Sequence, residues 1–135
     1  MKFFSRSGLD QLLFENFFRG KRGGVFVDAG AADGETSNNS LFFERFMDWR
    51  GLCVEPRPDL FAKLAALRKC QCEQVPAGKL SSLLEKHSLL QIDYCSIDAP
   101  GNELAALSDV DLWLASSRVE AIDLDDVRRH LGRVA

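Results

Sequence analysis

The chain has 135 residues, of which 46% are hydrophobic and 27% are charged, and its formal net charge is −3. This size and composition are typical of one globular domain. The slightly acidic balance gives no electrostatic reason to expect nucleic acid or an anionic membrane as a partner. No apolar run approaches the roughly 20 residues of a membrane span, and the N-terminus has no secretory pattern. We therefore expect a single-domain cytoplasmic protein.

The N-terminal part, residues 1–23, is predicted to be a helical extension ahead of an α/β core over residues 24–135. Apolar side chains recur at helical spacing from Gly8 to Phe18. Glycines end this helix, and an apolar run from Val25 to Asp28 predicts the first strand. The strand runs directly into a turn with two glycines, Gly30 and Gly34.

That turn is the most informative segment of the chain. Gly30 can adopt a backbone angle denied to other residues, and Gly34 leaves room for close approach. The amides of the following helix would then face a ligand. The spacing lacks the G-x-G-x-x-G pattern that holds a dinucleotide pyrophosphate, so it suits a nucleoside without phosphates, such as S-adenosylmethionine. An ordinary strand–helix turn is the alternative.

The rest of the sequence predicts helices and strands in alternation. Predicted helices cover Leu41 to Trp49, with N-caps offered by residues 37–40, and then Asp59 to Lys69, Leu80 to His87, Gly101 to Leu107 and Asp123 to Leu131. Predicted strands cover Leu52 to Glu55, Cys70 to Val75, Gln91 to Asp98 and Ser117 to Ile122. Such alternation favours a mostly parallel sheet of about five strands with helices on both faces.

Three predicted strands end in a carboxylate, at Asp28, Glu55 and Asp98. In open α/β sheets ligands bind at the edge where the strand ends meet, and an acidic residue after the second strand holds ribose hydroxyls. Glu55 has the spacing for that role, although a surface glutamate ahead of a proline turn is the alternative. Together the three carboxylates predict a binding edge.

The four cysteines predict no metal site. Cys53 and Cys95 fall inside predicted strands, where a thiol is most simply a small buried hydrophobe. Cys70 and Cys72 form C-x-C rather than the C-x-x-C pair of a zinc or redox site.

Several segments together resemble the FkbM family of S-adenosylmethionine-dependent methyltransferases. The resemblance runs from about Ser7 to Glu120 and is most specific from Val25 to Pro56. It is carried by V-F-V-D-A-G-A-A-D-G, N-S-L-F-F-E, W-R-G-L-C-V-E-P, L-S-S-L-L and I-D-Y-C-S-I-D. The resemblance implies a Rossmann-like class I methyltransferase core and O-methyl transfer to a hydroxyl of a sugar or other small molecule.

The resemblance also implies residue roles. The cofactor turn would comprise Asp28, Gly30, Ala32 and Gly34, with Glu55 on the ribose hydroxyls. Asp98 would lie near the methyl group or the acceptor as the candidate base, or it would organise its loop instead.

The chain departs from the family in two respects. Pro100 stands where the family usually has a glutamate, and the fold is expected to be shortened internally and at the C-terminus. A non-catalytic binding or oligomerisation module is therefore the alternative to a methyltransferase. A nucleotide-binding oxidoreductase is disfavoured because the chain lacks the G-x-G-x-x-G pattern. An uncovered edge strand at Ser117 to Ile122, together with many phenylalanines, predicts a homodimer.

Overall fold

A computed structural model describes residues 1–89, 91–98, 101, 104–106, 108–109 and 121–123 of the chain, the last three by their backbone. The strands are β1 (Val25–Ala29), β2 (Arg50–Val54), β3 (Gln71–Glu73), β4 (Tyr94–Ile97) and β5 (Ala121–Asp123). The α-helices are α1 (Leu9–Leu12), α2 (Leu41–Phe46), α3 (Pro58–Leu67) and α4 (Leu80–Lys86). A π-helical turn (Leu13–Phe17) continues α1, and a 3₁₀ turn (Ala77–Lys79) precedes α4.

The strands form one sheet in the order β3-β2-β1-β4-β5, and every neighbouring pair is parallel. Val27 of β1 pairs with Leu52 of β2 on one side and with Cys95 of β4 on the other. All five residues of β1 are buried, as expected for a central parallel strand covered on both faces. The predicted α/β class with a parallel sheet is therefore confirmed.

Two hydrophobic clusters cover the sheet. One is aliphatic and includes Leu80 and Leu84 of α4. The other is aromatic and joins α2 to the N-terminal segment, since the ring centroid of Phe42 lies 4.5 Å from Phe3 and 5.0 Å from Phe14. The N-terminal segment thus packs into the core as one of its layers.

Element boundaries differ from the predictions where single residues end an element. Helix α2 ends at Phe46 rather than Trp49, because Asp48 takes a positive φ of 60° and the chain turns into β2. Strand β4 begins at Tyr94 rather than Gln91, after the Asp93 carboxylate has accepted a hydrogen bond from Val25 N (2.9 Å). Most of the predicted strand Ser117 to Ile122 and of the predicted helix Asp123 to Leu131 lies outside the described residues.

Within the described residues, every helix is too short or too polar to cross a lipid bilayer.

Candidate functional site

A cavity of about 380 Å³ opens at the carboxyl ends of β1 and β4. Asp28 and Gly30 border it from the end of β1, and Ser96 and Asp98 border it from the end of β4. Strand β1 lies between β2 and β4, so the chain leaves β1 toward one side of the sheet and later returns to the other. Such a reversal of strand order opens a crevice where α/β proteins bind ligands.

The turn after β1 is fastened to the end of β2 by its own backbone amides. Gly30, with φ of 86°, and Ala31 both donate to the carbonyl of Val54, at 2.8 and 3.0 Å. Ala32 also has a positive φ, and its amide donates to Oε1 of Glu55 at 2.8 Å. These amides therefore bond within the protein, whereas the sequence had predicted amides of a following helix directed at a ligand. The next helix, α2, begins only at Leu41.

Asp28 is a buried carboxylate with two side-chain donors. Its Oδ2 accepts hydrogen bonds from Ser40 Oγ at 2.6 Å and from Asn38 Nδ2 at 2.9 Å. Burial raises the pKa of Asp28, and the hydrogen bonds and the charge of Arg68 offset only part of that rise. Asp28 consequently shapes the loop of residues 30–40 that forms one wall of the cavity.

Arg68 stabilises that wall of the cavity through hydrogen bonds. Its side chain is fully buried and donates to the Gly34 carbonyl (3.0 Å), to Ser40 Oγ (3.0 Å) and to Glu44 Oε2 (3.1 Å). Its guanidinium also lies over the ring of Phe26, 5.4 Å from the centroid. A fixed fork of donors suits such simultaneous contacts, so Arg68 ties the cavity loop to α2 and the sheet.

Glu55 lies just after β2 and is fully buried. Besides the Ala32 amide, its carboxylate accepts hydrogen bonds from Arg57 through the backbone amide (3.1 Å), Nε (2.8 Å) and Nη2 (3.2 Å). Burial raises the pKa of this carboxyl group, but the hydrogen bonds from Arg57 and Ala32 outweigh it and hold the pKa below its usual value. Glu55 is therefore ionised and already bonded within the chain.

Asp98 and Asp33 complete the acidic lining. Asp98 has an exposed side chain, and its amide donates to the Ala29 carbonyl at 2.7 Å. Burial opposes ionisation of Asp33, but hydrogen bonds from Thr36 and from the Glu35 amide lower its pKa. The cavity thus carries ionised carboxylate at its rim.

The structure brings together four of the six predicted site residues. Asp28, Gly30, Ala32 and Asp98 all line the cavity. Gly34 and Glu55 do not line it: Gly34 faces α3, and Glu55 is enclosed by the turn and Arg57.

Three residues that line or support the cavity were not predicted from the sequence: Arg6, Asn38 and Arg68. Arg6 reaches the cavity from the N-terminal segment, and no local motif marks it. For Arg68 the available signal was its position directly after a helix with one apolar face, where its side chain can turn toward the core.

Three cysteines lie close together, near enough to Arg68 to interact with its charge. Cys70 Sγ is 3.5 Å from Cys53 Sγ and 4.0 Å from Cys72 Sγ, and all four cysteines are free thiols. The hydrogen bond to Cys53 and burial raise the pKa of the Cys70 thiol. Among the described residues, no group of histidine, cysteine and acidic side chains has the geometry to hold a metal ion.

Comparison with known proteins gives a fold but no family. No family model and no curated protein sequence matches the chain. One matching solved structure is the quinone oxidoreductase from Thermus thermophilus, which was crystallised alone and with NADPH. The TM-score is 0.52 with 16% sequence identity, over 93% of this chain but only 46% of that chain. The likeness shows a Rossmann-like α/β fold.

Proposed function

We propose that the chain is a methyltransferase-like protein that binds S-adenosylmethionine between the ends of β1 and β4. The supporting observation is the cavity at this reversal of strand order, lined by Asp28, Gly30, Ala32 and Asp98. In its active form the protein would transfer a methyl group to a hydroxyl of a sugar or another small molecule, as the resemblance of the sequence implies.

The size and charge of the cavity suit that ligand. About 380 Å³ lies within the roughly 300–1,000 Å³ of small-molecule sites. Three aspartates line the cavity, Asp28, Asp33 and Asp98. The sulfonium and ammonium groups of S-adenosylmethionine are cationic, so Asp33 and Asp98 attract them, whereas burial raises the pKa of Asp28.

A dinucleotide fits less well. The structural neighbour was crystallised with NADPH, and dinucleotide sites hold the pyrophosphate with free backbone amides after the first strand. Here the amides of Gly30, Ala31 and Ala32 already donate within the protein. Acidic side chains at the same place would repel a pyrophosphate.

The residues of the cavity can perform the supporting chemistry of O-methyl transfer. Bound S-adenosylmethionine supplies an electrophilic methyl group. Asp98 lies at the cavity wall with an exposed side chain, where it can accept the proton of an acceptor hydroxyl. Asp28 has a raised pKa and two bonded donors, so its role is to hold the loop.

A second candidate function is a non-catalytic, shortened methyltransferase-fold module for binding or oligomerisation. The observation that favours it is Glu55, whose carboxylate is bonded to Arg57 and to two backbone amides instead of facing the cavity. A module of this kind would keep the fold without methyl transfer.

Calorimetric titration with S-adenosylhomocysteine, S-adenosylmethionine and NADPH tests the proposal. We expect the two adenosyl ligands to bind and NADPH to give no heat. Asp98→Ala should weaken S-adenosylmethionine binding about threefold to tenfold, whereas Glu85→Ala, which removes an exposed carboxylate from α4, should not. No heat from either adenosyl ligand at millimolar concentration would refute the proposal. Binding without methyl transfer to any hydroxyl of a sugar panel would favour the second candidate.

A further inference from the structure

Arg6 is the one basic residue among those that line the cavity, in the part of the chain that the structure describes. Its side chain is exposed, and it faces a lining that also contains Asp28, Asp33 and Asp98. Within the described residues, the Arg6 guanidinium makes no hydrogen bond or ion pair. Its donors are therefore available to a ligand.

The backbone around Arg6 is held firmly at the rim. Asp10 is fully buried, and its Oδ2 accepts hydrogen bonds from the amides of Phe4 (2.6 Å) and Ser5 (3.1 Å). Ser5 Oγ in turn accepts from the Asp10 amide (3.0 Å) and donates to Asn39 Oδ1 (2.6 Å). Asn39 is itself a lining residue, so the N-terminal segment is joined to the cavity wall immediately beside Arg6.

The combination of one guanidinium with several carboxylates matches a zwitterion. A guanidinium presents a planar fork of donors that fits a carboxylate. The amino-acid portion of S-adenosylmethionine carries a carboxylate beside an ammonium and a sulfonium. Arg6 would repel a purely cationic ligand, and the aspartates would repel a purely anionic one.

We propose that Arg6 binds the α-carboxylate of the amino-acid portion of the ligand and so positions it in the cavity. This inference rests on the proposed function, since it assigns one group of the proposed ligand to one residue. The aspartate-rich side of the cavity then receives the cationic groups, and the N-terminal segment is part of the binding site.

Calorimetric titration of two ligands with the full chain tests the assignment. The ligands are S-adenosylmethionine and decarboxylated S-adenosylmethionine, which keeps the sulfonium and the amine but lacks the carboxylate. Arg6→Ala should weaken binding of S-adenosylmethionine on the order of tenfold to a hundredfold. It should not weaken binding of the decarboxylated ligand and should strengthen it by up to about fivefold, because that purely cationic ligand has nothing for Arg6 to bind and is repelled by its positive charge. Arg6→Lys should retain an intermediate affinity for S-adenosylmethionine, because it keeps the charge without the fork.

Arg50→Ala is the matched control, since it removes an exposed arginine at the start of β2, the opposite end of the sheet. It should change neither affinity. Equal weakening of both ligands by Arg6→Ala would assign Arg6 a structural role and overturn the proposal, as would no weakening of either. In those cases wild-type binding still supports the proposed function. If the wild-type chain binds neither ligand, the proposed function fails and this assignment fails with it.

Discussion

The carboxylate of Glu55 is paired with the guanidinium of Arg57, two residues further along the chain. The Nε of Arg57 lies 2.8 Å from Oε2, and Nη2 lies 3.2 Å from Oε1. The Glu55 side chain is 1% exposed, whereas that of Arg57 is 61% exposed. Arg57 therefore covers a buried carboxylate from the solvent side, and this is the carboxylate that the resemblance of the sequence assigns to ribose hydroxyls.

Arg57→Ala should uncover Glu55 and strengthen the binding of S-adenosylhomocysteine about threefold to tenfold, because a ribose hydroxyl no longer has to displace a guanidinium. The backbone amides of Ala32 and of residue 57 would still hold the carboxylate in place. The free energy of unfolding should fall by only about 1 kcal/mol, because Arg57 is exposed and water can take its place at the uncovered carboxylate. Calorimetry and urea unfolding measure the two effects. Weaker binding in this variant, with Arg50→Ala unchanged, would contradict the prediction.

Replacing Arg68, in contrast to replacing Arg57, should lower the free energy of unfolding by a large amount. Arg68→Met leaves Glu44 without its ion pair and removes donors from the Gly34 carbonyl and from Ser40. Breaking a buried pair by removing one partner costs about 3–5 kcal/mol. Urea unfolding checks this value, and Lys63→Met on the exposed side of α3 is the control, with an expected change within about 0.5 kcal/mol. A loss of similar size in both variants would show that the buried network contributes little.

The pairing of Glu44 with Arg68 should make stability depend on pH. Burial raises the pKa of Glu44, but the charge of Arg68 and hydrogen bonds from residues 69 and 70 outweigh it and lower the pKa below the ordinary 4.5. A carboxyl group with a lowered folded-state pKa stabilises the protein above the unfolded-state pKa, and that stabilisation disappears as the pH falls through the folded-state value.

Wild type should therefore exceed Glu44→Gln in free energy of unfolding by a constant amount from neutral pH down to about 5, and the difference should shrink below pH 4.5. Urea unfolding of both proteins at a series of pH values measures it. A difference that stays constant or widens on acidification would show that Glu44 does not titrate in this way.

The backbone architecture could be predicted from the sequence because the apolar runs are short and clearly bounded. Val25 to Asp28 and Leu52 to Glu55 read as strands, and the structure has β1 and β2 there. Parallel pairing then requires Asp28 and Asp98 to approach the same edge, where both line the cavity. Periodicity and strand polarity are properties of the local chain, so they are visible without coordinates.

The side-chain partners at that edge could not be predicted, because they depend on rotamers and on residues distant in sequence. Nothing near Glu55 indicated that Arg57 would fold back onto it, or that Arg68 would reach Ser40. The N-terminal segment is a further example. Its helical periodicity predicted an extension, whereas the Asp10 and Ser5 contacts that join it to the cavity arise only in the folded chain.

The homodimer stays a prediction from the sequence, and we expect it to form through strand β5. Strand β5 (Ala121–Asp123) ends the described sheet next to β4, and an edge strand offers unpaired backbone groups to a second chain. Light scattering at micromolar concentration should give twice the monomer mass. Phe17→Lys, which changes a half-exposed ring on the N-terminal helix, should leave that mass unchanged, since pairing is expected through β5. A monomeric wild type would refute the prediction, and dissociation by Phe17→Lys would move the interface to the helix.

Gly34 is expected to matter because α3 packs against it. Its φ is +84°, and a Cβ added there would lie 2.8 Å from Leu64 Cδ1 and 3.0 Å from Arg68 Cγ. Gly23 is a matched comparison, because its φ is +71° and a Cβ there would meet nothing within 4 Å. Both alanine variants incur the left-handed backbone cost of about 1–2 kcal/mol, but only Gly34→Ala also overpacks a buried contact, which costs about 1–3 kcal/mol more.

Urea unfolding of the two variants isolates that second contribution as the difference between their losses of stability. We expect Gly34→Ala to be the less stable by about 1–3 kcal/mol. Equal losses would mean that Leu64 and Arg68 move aside without cost, and that Gly34 is required for its backbone angle alone. A larger loss in Gly34→Ala would show that Gly34 lets the cavity loop pack closely against α3, because the side chains that approach it are those of Leu64 and Arg68.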